Sequence, residues 1–462
     1  MRTRYLDLIQ QTFDFPQDEF SLRDFRLNFH DIDLMELVEE HGTPLRFTYL
    51  PLIGKSIERA RKWFDVAMKG SGYTGDYYYC YCTKSSHFSY VMDAVTKAGA
   101  FIETSSAYDV DIVRKLIKRR KLKKTDFVIC NGFKRGEYLD NISALINDGM
   151  KNAIPILDNI AELDLLQEKI RGKFKVGIRI AAEEAPKFPF YTSRLGLGYR
   201  DIVKYYKEKL QGNKKATLKM LHFFINTGIS DTAYYWNELS KCMSVYCELK
   251  KICPTLDSLD IGGGLPIKNS LAFSFDYQYM VREIINQIRE ACRENNVPEP
   301  DIFTEFGSFT VGESSGLLYE ILDQKTQNDR EKWNMINSSF MTTLPDTWAI
   351  NRRFVMLPLN RWEDGYERVM LGGLTCDSDD YYNSEQHVNA IYLPAFDKEK
   401  PLYIGFFNVG AYQDTIGGYG GLHHCLIPQP KHILIDEHQK VTVFSKRQSS
   451  ADMLKILGFQ KW

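Results

Sequence analysis

The sequence predicts an α/β protein, a (β/α)8 barrel followed by a second, antiparallel β-domain. Three observations carry this. Eight short strand candidates between Tyr77 and Phe306 alternate with amphipathic helical stretches, the rhythm of parallel βα units. After about Val311 the rhythm gives way to short strands separated by turn residues. The chain has 462 residues, 44% hydrophobic and 26% charged, too many for one small core and enough to fill two.

The eight strand candidates are Tyr77–Thr83, Ala100–Thr104, Asp126–Asn131, Ala153–Asp158, Lys175–Ile180, Met220–Asn226, Asp257–Ile261 and Asp301–Phe306. Between them the spacing predicts helices over Phe88–Lys97, Ala107–Arg119, Glu137–Ile146, Glu162–Ile170, Ser230–Lys250 and Asp276–Asn295. In the last, Tyr279, Val281, Ile284, Ile285 and Ile288 recur at helical spacing. Eight repeats imply closure into a barrel, with chemistry at the C-terminal strand ends; the competing architecture is a doubly wound open sheet. The barrel is expected over 47–315, with 1–46 and 316–462 forming the β-domain. There, Phe354–Leu359, Glu367–Leu371, His387–Leu393, Leu402–Val409, His432–Ile435 and Val441–Ser445 read as strands. Gly417-Gly418-Tyr419-Gly420-Gly421 reads as a mobile or close-approach loop.

Charge and cysteine usage narrow the class. The 59 basic and 60 acidic side chains leave a net charge of -1, which gives no reason to expect a nucleic-acid partner. The basic run Arg119 to Lys124 carries no interleaved aromatic platform and reads as a solvated helix end. Nine scattered cysteines without a CxxC pair read as reduced thiols in a cytoplasmic protein. Met1–Pro16 lacks the apolar core of a signal peptide, and no stretch reaches the length needed to span a membrane.

Polar residues at strand ends are the site candidates. Lys84 follows Tyr77–Thr83 and is either a surface lysine or an amine held in a pocket with a lowered pKa. Gly262, Gly263 and Gly264 follow Leu259-Asp260-Ile261; such a triplet permits close backbone approach and convergent N–H groups for an anion, though Gly-rich loops are common. Glu305 at the last strand end is either a surface carboxylate or a partner for a cationic ring nitrogen. Arg179, among apolar neighbours, is either in a structural ion pair or on a ligand. His222 and Phe224 are expected to share a strand face, one of them covering a planar cofactor, with a satisfied core histidine as the plain alternative. Asp377, Asp379 and Asp380 bunch after Cys376. They fail the EF-hand pattern, no metal site is expected, and they read as either a cation-recognising site or a solvated turn.

In order, these pieces resemble the pyridoxal-phosphate-dependent fold type III decarboxylases with an alanine-racemase-like barrel, which act on ornithine, arginine or diaminopimelate. The resemblance runs from about residue 45 to 430. Tyr81-Cys82-Thr83-Lys84 is similar to the strand end whose lysine bonds the cofactor. Asp260-Ile261-Gly262-Gly263-Gly264 matches the phosphate loop. Glu305-Phe306-Gly307-Ser308 stands for the Glu-Pro-Gly-Arg motif, Arg179-Ile180 for the Arg-Ile strand end, Thr375-Cys376-Asp377 for Thr-Cys-Asp and Gly410-Ala411-Tyr412 for Gly-Ala-Tyr. Two positions depart. Phe224 stands where the family has its ring-stacking histidine, and Ser308 replaces the phosphate-binding arginine.

The resemblance implies pyridoxal 5'-phosphate as cofactor, held covalently by Lys84, with Glu305 on its ring nitrogen. Gly262 to Gly264, Gly307, Ser308 and Tyr412 would hold its phosphate, with Arg179, His222 and Phe224 around it. Cys376 would reprotonate the α-carbon and Asp377 would meet the cationic tail of a basic amino acid. It implies a homodimer whose active sites are shared, since Cys376 and Asp377 enter the partner's pocket. The Thr-Cys-Asp-Ser-Asp-Asp string points first to arginine, converted to agmatine for polyamine biosynthesis. Ornithine or diaminopimelate decarboxylation, or a catalytically impaired regulatory paralogue, are the alternatives.

Overall fold

The structure, a computed structural model, describes residues 4–182, 194–382, 390–416 and 424–459. The Gly417–Gly421 cluster and the start of the expected strand at His387 lie outside the described residues. The chain divides into two compact units: 53–266 with 275–310, and 1–52 with 267–274 and 311–462. These limits differ from the expected 47–315 chiefly because Leu45–Tyr49 is a strand of the second unit and 267–274 returns to it.

The first unit is a closed barrel of eight strands in sequence order, every neighbouring pair parallel. The strands are Tyr77–Cys82, Phe101–Thr104, Val128–Cys130, Ala153–Leu157, Phe174–Ile180, Ala216–Phe223, Ser258–Asp260 and Asp301–Glu305. All eight expected strands are present and the open sheet is excluded. The sixth differs most. It begins at Ala216 and ends at Phe223, with a register shift between Leu218 and Met220.

Inward-pointing side chains form two layers. Towards the N-terminal strand ends Tyr78, Phe101, Phe127 and Phe303 interlock, with ring centroids 4.7 Å apart for Tyr78–Phe303 and 5.0 Å for Phe127–Phe303. Cys80, Ile129, Ile154, Ile156 and Met220 complete this apolar floor. Because strand side chains alternate, the inward positions two residues further along fall at the opposite end, and there they are polar. Register places Arg179, His222 and Asp260 on one rung of three adjacent strands. The outer helices bury one stripe each. Tyr277–Asn295 buries Met280, Val281, Ile284, Ile285, Ile288 and Cys292. It starts at Asp276, whose carboxylate accepts from Tyr279 N at 2.9 Å, and stops at Asn296 in the left-handed region.

Among the described residues of this unit, one ion pair is fully buried. Lys134 Nζ lies 3.4 Å from Glu162 Oε2, both side chains 0% exposed. It donates to Gly132 O at 2.6 Å and to Ile156 O. Glu162 in turn accepts from the backbone N–H groups of Lys134 (2.8 Å) and Asp158 (2.9 Å). The pair ties down the loop that follows Val128–Cys130.

The second unit is built on a ten-stranded sheet. It is mixed rather than antiparallel throughout. Leu45–Tyr49 runs antiparallel to Ser315–Gln327 but parallel to Lys431–Ile435, and Trp333 and Met370 sit in a parallel pair. The central strand Leu45–Tyr49 is buried along its length. Its Phe47 packs with Phe20, Phe29 and Phe407, the Phe20–Phe407 centroids 4.8 Å apart. Sequence reading overlooked the strands Ser315–Gln327 and Glu331–Ile336. The far half of the first, from Leu322, is largely exposed and polar, so no hydrophobic alternation marks it. Among the described residues no helix is long and apolar enough to cross a membrane.

Candidate active site

The polar layer at the C-terminal strand ends of the barrel is one connected network. Lys84 leaves the first strand in a short 3-10 turn, and its Nζ lies 3.1 Å from Glu103 Oε2. Glu103, on the next strand, is fully buried. Asn131 follows the third strand and donates from Nδ2 to Glu103 Oε1 at 3.1 Å and to Glu305 Oε1 at 2.5 Å. Glu305 Oε2 meets His222 Nε2 at 3.2 Å. Asp260 approaches from the seventh strand, its carboxylate within 4.8 Å of the Glu305 and His222 ligand atoms, and accepts from Gly262 N at 2.8 Å.

Two buried carboxyls so close cannot both carry a full charge cheaply. Burial alone would raise the Glu305 pKa. The adjoining His222 ring and the Lys84 ammonium outweigh burial and hold it at about 2. Asp260 goes the other way, raised well above its ordinary value by burial and then by the Glu305 charge. Glu305 is thus the ionised member and Asp260 the one that keeps its proton longer.

Above this layer the backbone is pressed together. Gly262 and Gly264 have φ of +69° and +104°. A Cβ on Gly263 would stand 2.2 Å from Glu305 O, and one on Gly264 2.6 Å from Gly228 Cα. Only glycine permits this approach of the two loops. A Cβ on Gly307 would meet Ser85 Oγ at 2.0 Å, and Ser308 opens the short helix Ser308–Val311. Phe224 lies past the end of its strand, 37% exposed, with the Arg179 guanidinium 5.8 Å from its ring centroid. His222 and Phe224 lie at different depths of the barrel mouth. His222 is 1% exposed and turned onto Glu305, whereas Phe224 sits at the open end.

The residues fit pyridoxal phosphate. An ionised carboxylate, a lysine amine and a glycine cradle share one barrel mouth. Arg179 Nε and Thr227 Oγ1 are buried donors without a hydrogen-bond partner among the described residues, as expected of groups set to meet a polar ligand.

A family model, the pyridoxal-binding domain of the pyridoxal-dependent decarboxylases, matches residues 55–312. The chain belongs to this family. It is a pyridoxal-phosphate-dependent amino-acid decarboxylase. Among curated relatives, this decarboxylase is 23% identical to arginine decarboxylase 2 of Arabidopsis thaliana, over 93% of this chain and 77% of the relative. It is 21% identical to the biosynthetic arginine decarboxylase of Escherichia coli (strain K12), over 92% and 83%. Its fold is shared with the biosynthetic arginine decarboxylase of Campylobacter jejuni, with a TM-score of 0.80 at 20% identity over 96% and 89% of the two chains. Diaminopimelate decarboxylase of M. jannaschii in complex with L-lysine is equally similar, with a TM-score of 0.81 at 20% identity over 95% and 97%.

Of the expected site residues, Lys84, Arg179, His222, Phe224, Gly262, Gly263, Gly264, Glu305, Gly307 and Ser308 belong to the barrel unit. Cys376, Asp377 and Tyr412 belong to the β unit. Sequence reading missed Glu103 and Asn131. Both carry a readable sign. Each stands at the C-terminal end of its strand, two residues beyond Phe101 or Ile129 and so at the same inward parity, where an apolar side chain would otherwise sit.

The acidic string after Cys376 divides by role. Asp380 is 4% exposed. It accepts from Ser339 Oγ (3.1 Å), Phe340 N (2.8 Å) and Met341 N (3.2 Å) on one oxygen. On the other it accepts from Thr375 N (3.1 Å) and Thr375 Oγ1 (2.7 Å). It is therefore a structural anchor, neither a solvated turn residue nor a substrate contact. Asp377 is more open and lies 3.4 Å from His424 Nε2. Cys376 is exposed, its Sγ 3.4 Å from Cys425 Sγ, a contact that raises the Cys376 pKa.

Proposed function

We propose that this decarboxylase acts on L-arginine and yields agmatine, the entry to polyamine biosynthesis, with ornithine and diaminopimelate as the competing substrates. The observation that carries the chemistry is the Lys84–Glu103–Asn131–Glu305 chain at the barrel mouth. The choice of arginine is supported by the curated arginine decarboxylases that align with 93% of the chain.

When bound, pyridoxal phosphate supplies the electron sink that makes loss of carbon dioxide from an amino acid feasible. Every other step falls to the chain. Lys84 presents the amine that would hold the cofactor, and Glu103 keeps that amine oriented. Glu305 would accept a hydrogen bond from the ring nitrogen and keep its proton in place. Gly262 to Gly264, Gly307, Ser308 and Tyr412 would hold the phosphate. Phe224, backed by Arg179, would cover the ring. The Cys376 thiol would return a proton to the α-carbon, and the Asp377 carboxylate would receive a planar guanidinium through two parallel bonds.

The active unit is read as a homodimer in which Cys376 and Asp377 serve the partner's barrel, and the protein as cytoplasmic. Carbon dioxide release with arginine, ornithine, lysine and diaminopimelate tests the substrate reading. Turnover highest with arginine supports it; a preference for any of the others overturns it. Lys84→Ala should purify without visible cofactor absorbance, and a retained band would remove Lys84 from its role.

A further inference from the structure

We propose that Cys376, Cys425 and His424 form a reversible site for a soft divalent cation such as Zn2+. The chain has nine cysteines. Seven are buried, and the two exposed ones are the two that meet, with sulfurs 3.4 Å apart. An imidazole nitrogen of His424 joins them, so that all three ligand atoms lie within 4.8 Å of one another. Two thiolates and an imidazole are the donor set that favours zinc over hard cations, and three protein ligands leave a fourth position for water.

The surroundings hold this geometry. Cys376 N donates to Cys425 Sγ at 3.4 Å. The loop behind Cys376 is pinned through Thr375 to the buried Asp380. Cys425 keeps a left-handed backbone, φ 51°, which a non-glycine residue adopts at a cost. Asp377 Oδ2 lies 3.4 Å from His424 Nε2, where a carboxylate would orient the imidazole with Nδ1 as the metal ligand. Binding is an exchange without electron transfer. Two sulfur–metal bonds form, the two S–H bonds break, and two protons pass to solvent. If Cys376 is the proton donor proposed above, the cation withdraws that thiol, so occupancy of the site stops turnover; this part rests on that reading.

The test uses holoenzyme freed of excess cofactor and titrated with Co2+. One equivalent per chain should give the intense d–d bands of tetrahedral thiolate coordination in the red, beyond the cofactor's absorbance, and Zn2+ should abolish them. Cys425→Ser should weaken binding by at least about 100-fold, the upper end of what losing an outer-shell partner costs, while leaving metal-free turnover unchanged. His424→Asn should weaken it in the same direction. Weak octahedral-type bands, or equal affinity in wild type and both variants, would overturn the site. Tetrahedral binding with unchanged turnover would leave the site standing and remove Cys376 from the proton-donor role.

Discussion

Replacing Asp260 with Asn should stabilise the barrel at neutral pH and leave it unchanged in acid. Two buried carboxyls within 4.8 Å repel by about 3.5 kcal/mol at an effective dielectric constant of ~20. The folded chain can avoid that by keeping Asp260 protonated. At pH 7 this costs about 4.2 kcal/mol against an unfolded aspartate of pKa ~3.9, at ~1.36 kcal/mol per unit. Either route leaves a penalty near ~4 kcal/mol. The sign follows from the raised Asp260 pKa. Between its unfolded and folded values the folded state binds more protons, so stability falls as pH rises through that window and the penalty vanishes below it. Asn cannot ionise, and its Oδ1 can still accept from Gly262 N, the 2.8 Å bond that shapes the glycine loop. Thermal unfolding of wild type and Asp260→Asn across pH 4 to 8 should give midpoints that coincide in acid and diverge on the order of 10 °C at neutrality. A constant offset, or a less stable variant at pH 7, would show that the carboxyls do not share one charge.

Gly263→Ala should lose visible cofactor absorbance per chain and about 1–3 kcal/mol of stability in urea, because its Cβ meets the Glu305 carbonyl at 2.2 Å and that oxygen belongs to a barrel strand. Lys134→Met removes one half of a pair that is 0% exposed on both sides. It should cost roughly 3 kcal/mol in urea unfolding, the low end for breaking such a pair, since Glu162 keeps its backbone donors. Asp380→Ala deprives five donors of an acceptor. It should destabilise the β unit by about 3 kcal/mol or more and speed alkylation of Cys376 by iodoacetamide; an unchanged rate would mean that the anchor does not hold the loop.

The barrel was legible because its strands are apolar runs of strand length between amphipathic helices, and the count of eight admits one closed solution. Lys84, Glu305 and the glycine triplet were legible because they stand at C-terminal strand ends with distinctive chemistry. Glu103 and Asn131 belong to no recognisable motif. Their importance comes from register, which brings residues of different strands into one layer, and register is a property of the closed barrel. Asp380 misled for a related reason. Thr375-Cys376-Asp377-Ser378-Asp379-Asp380 has the composition of a solvated turn, and nothing local shows that a helix start 40 residues earlier in the chain donates to its last carboxylate. The Cys376–Cys425 contact joins positions 49 residues apart and has no sequence period to announce it.

The strand Leu45–Tyr49 has a consequence for biosynthesis. It is made early, yet its two sheet neighbours are Ser315–Gln327 and Lys431–Ile435, and Thr48 bonds to His432 across 384 residues. On the ribosome this apolar segment emerges long before anything can flank it. The intervening barrel, whose neighbours are consecutive, can close meanwhile, and the second sheet is completed only when the tail arrives. A nascent chain halted before Lys431 would therefore carry a finished barrel and, in its second sheet, a strand with one edge unpaired, the species that chaperones recognise.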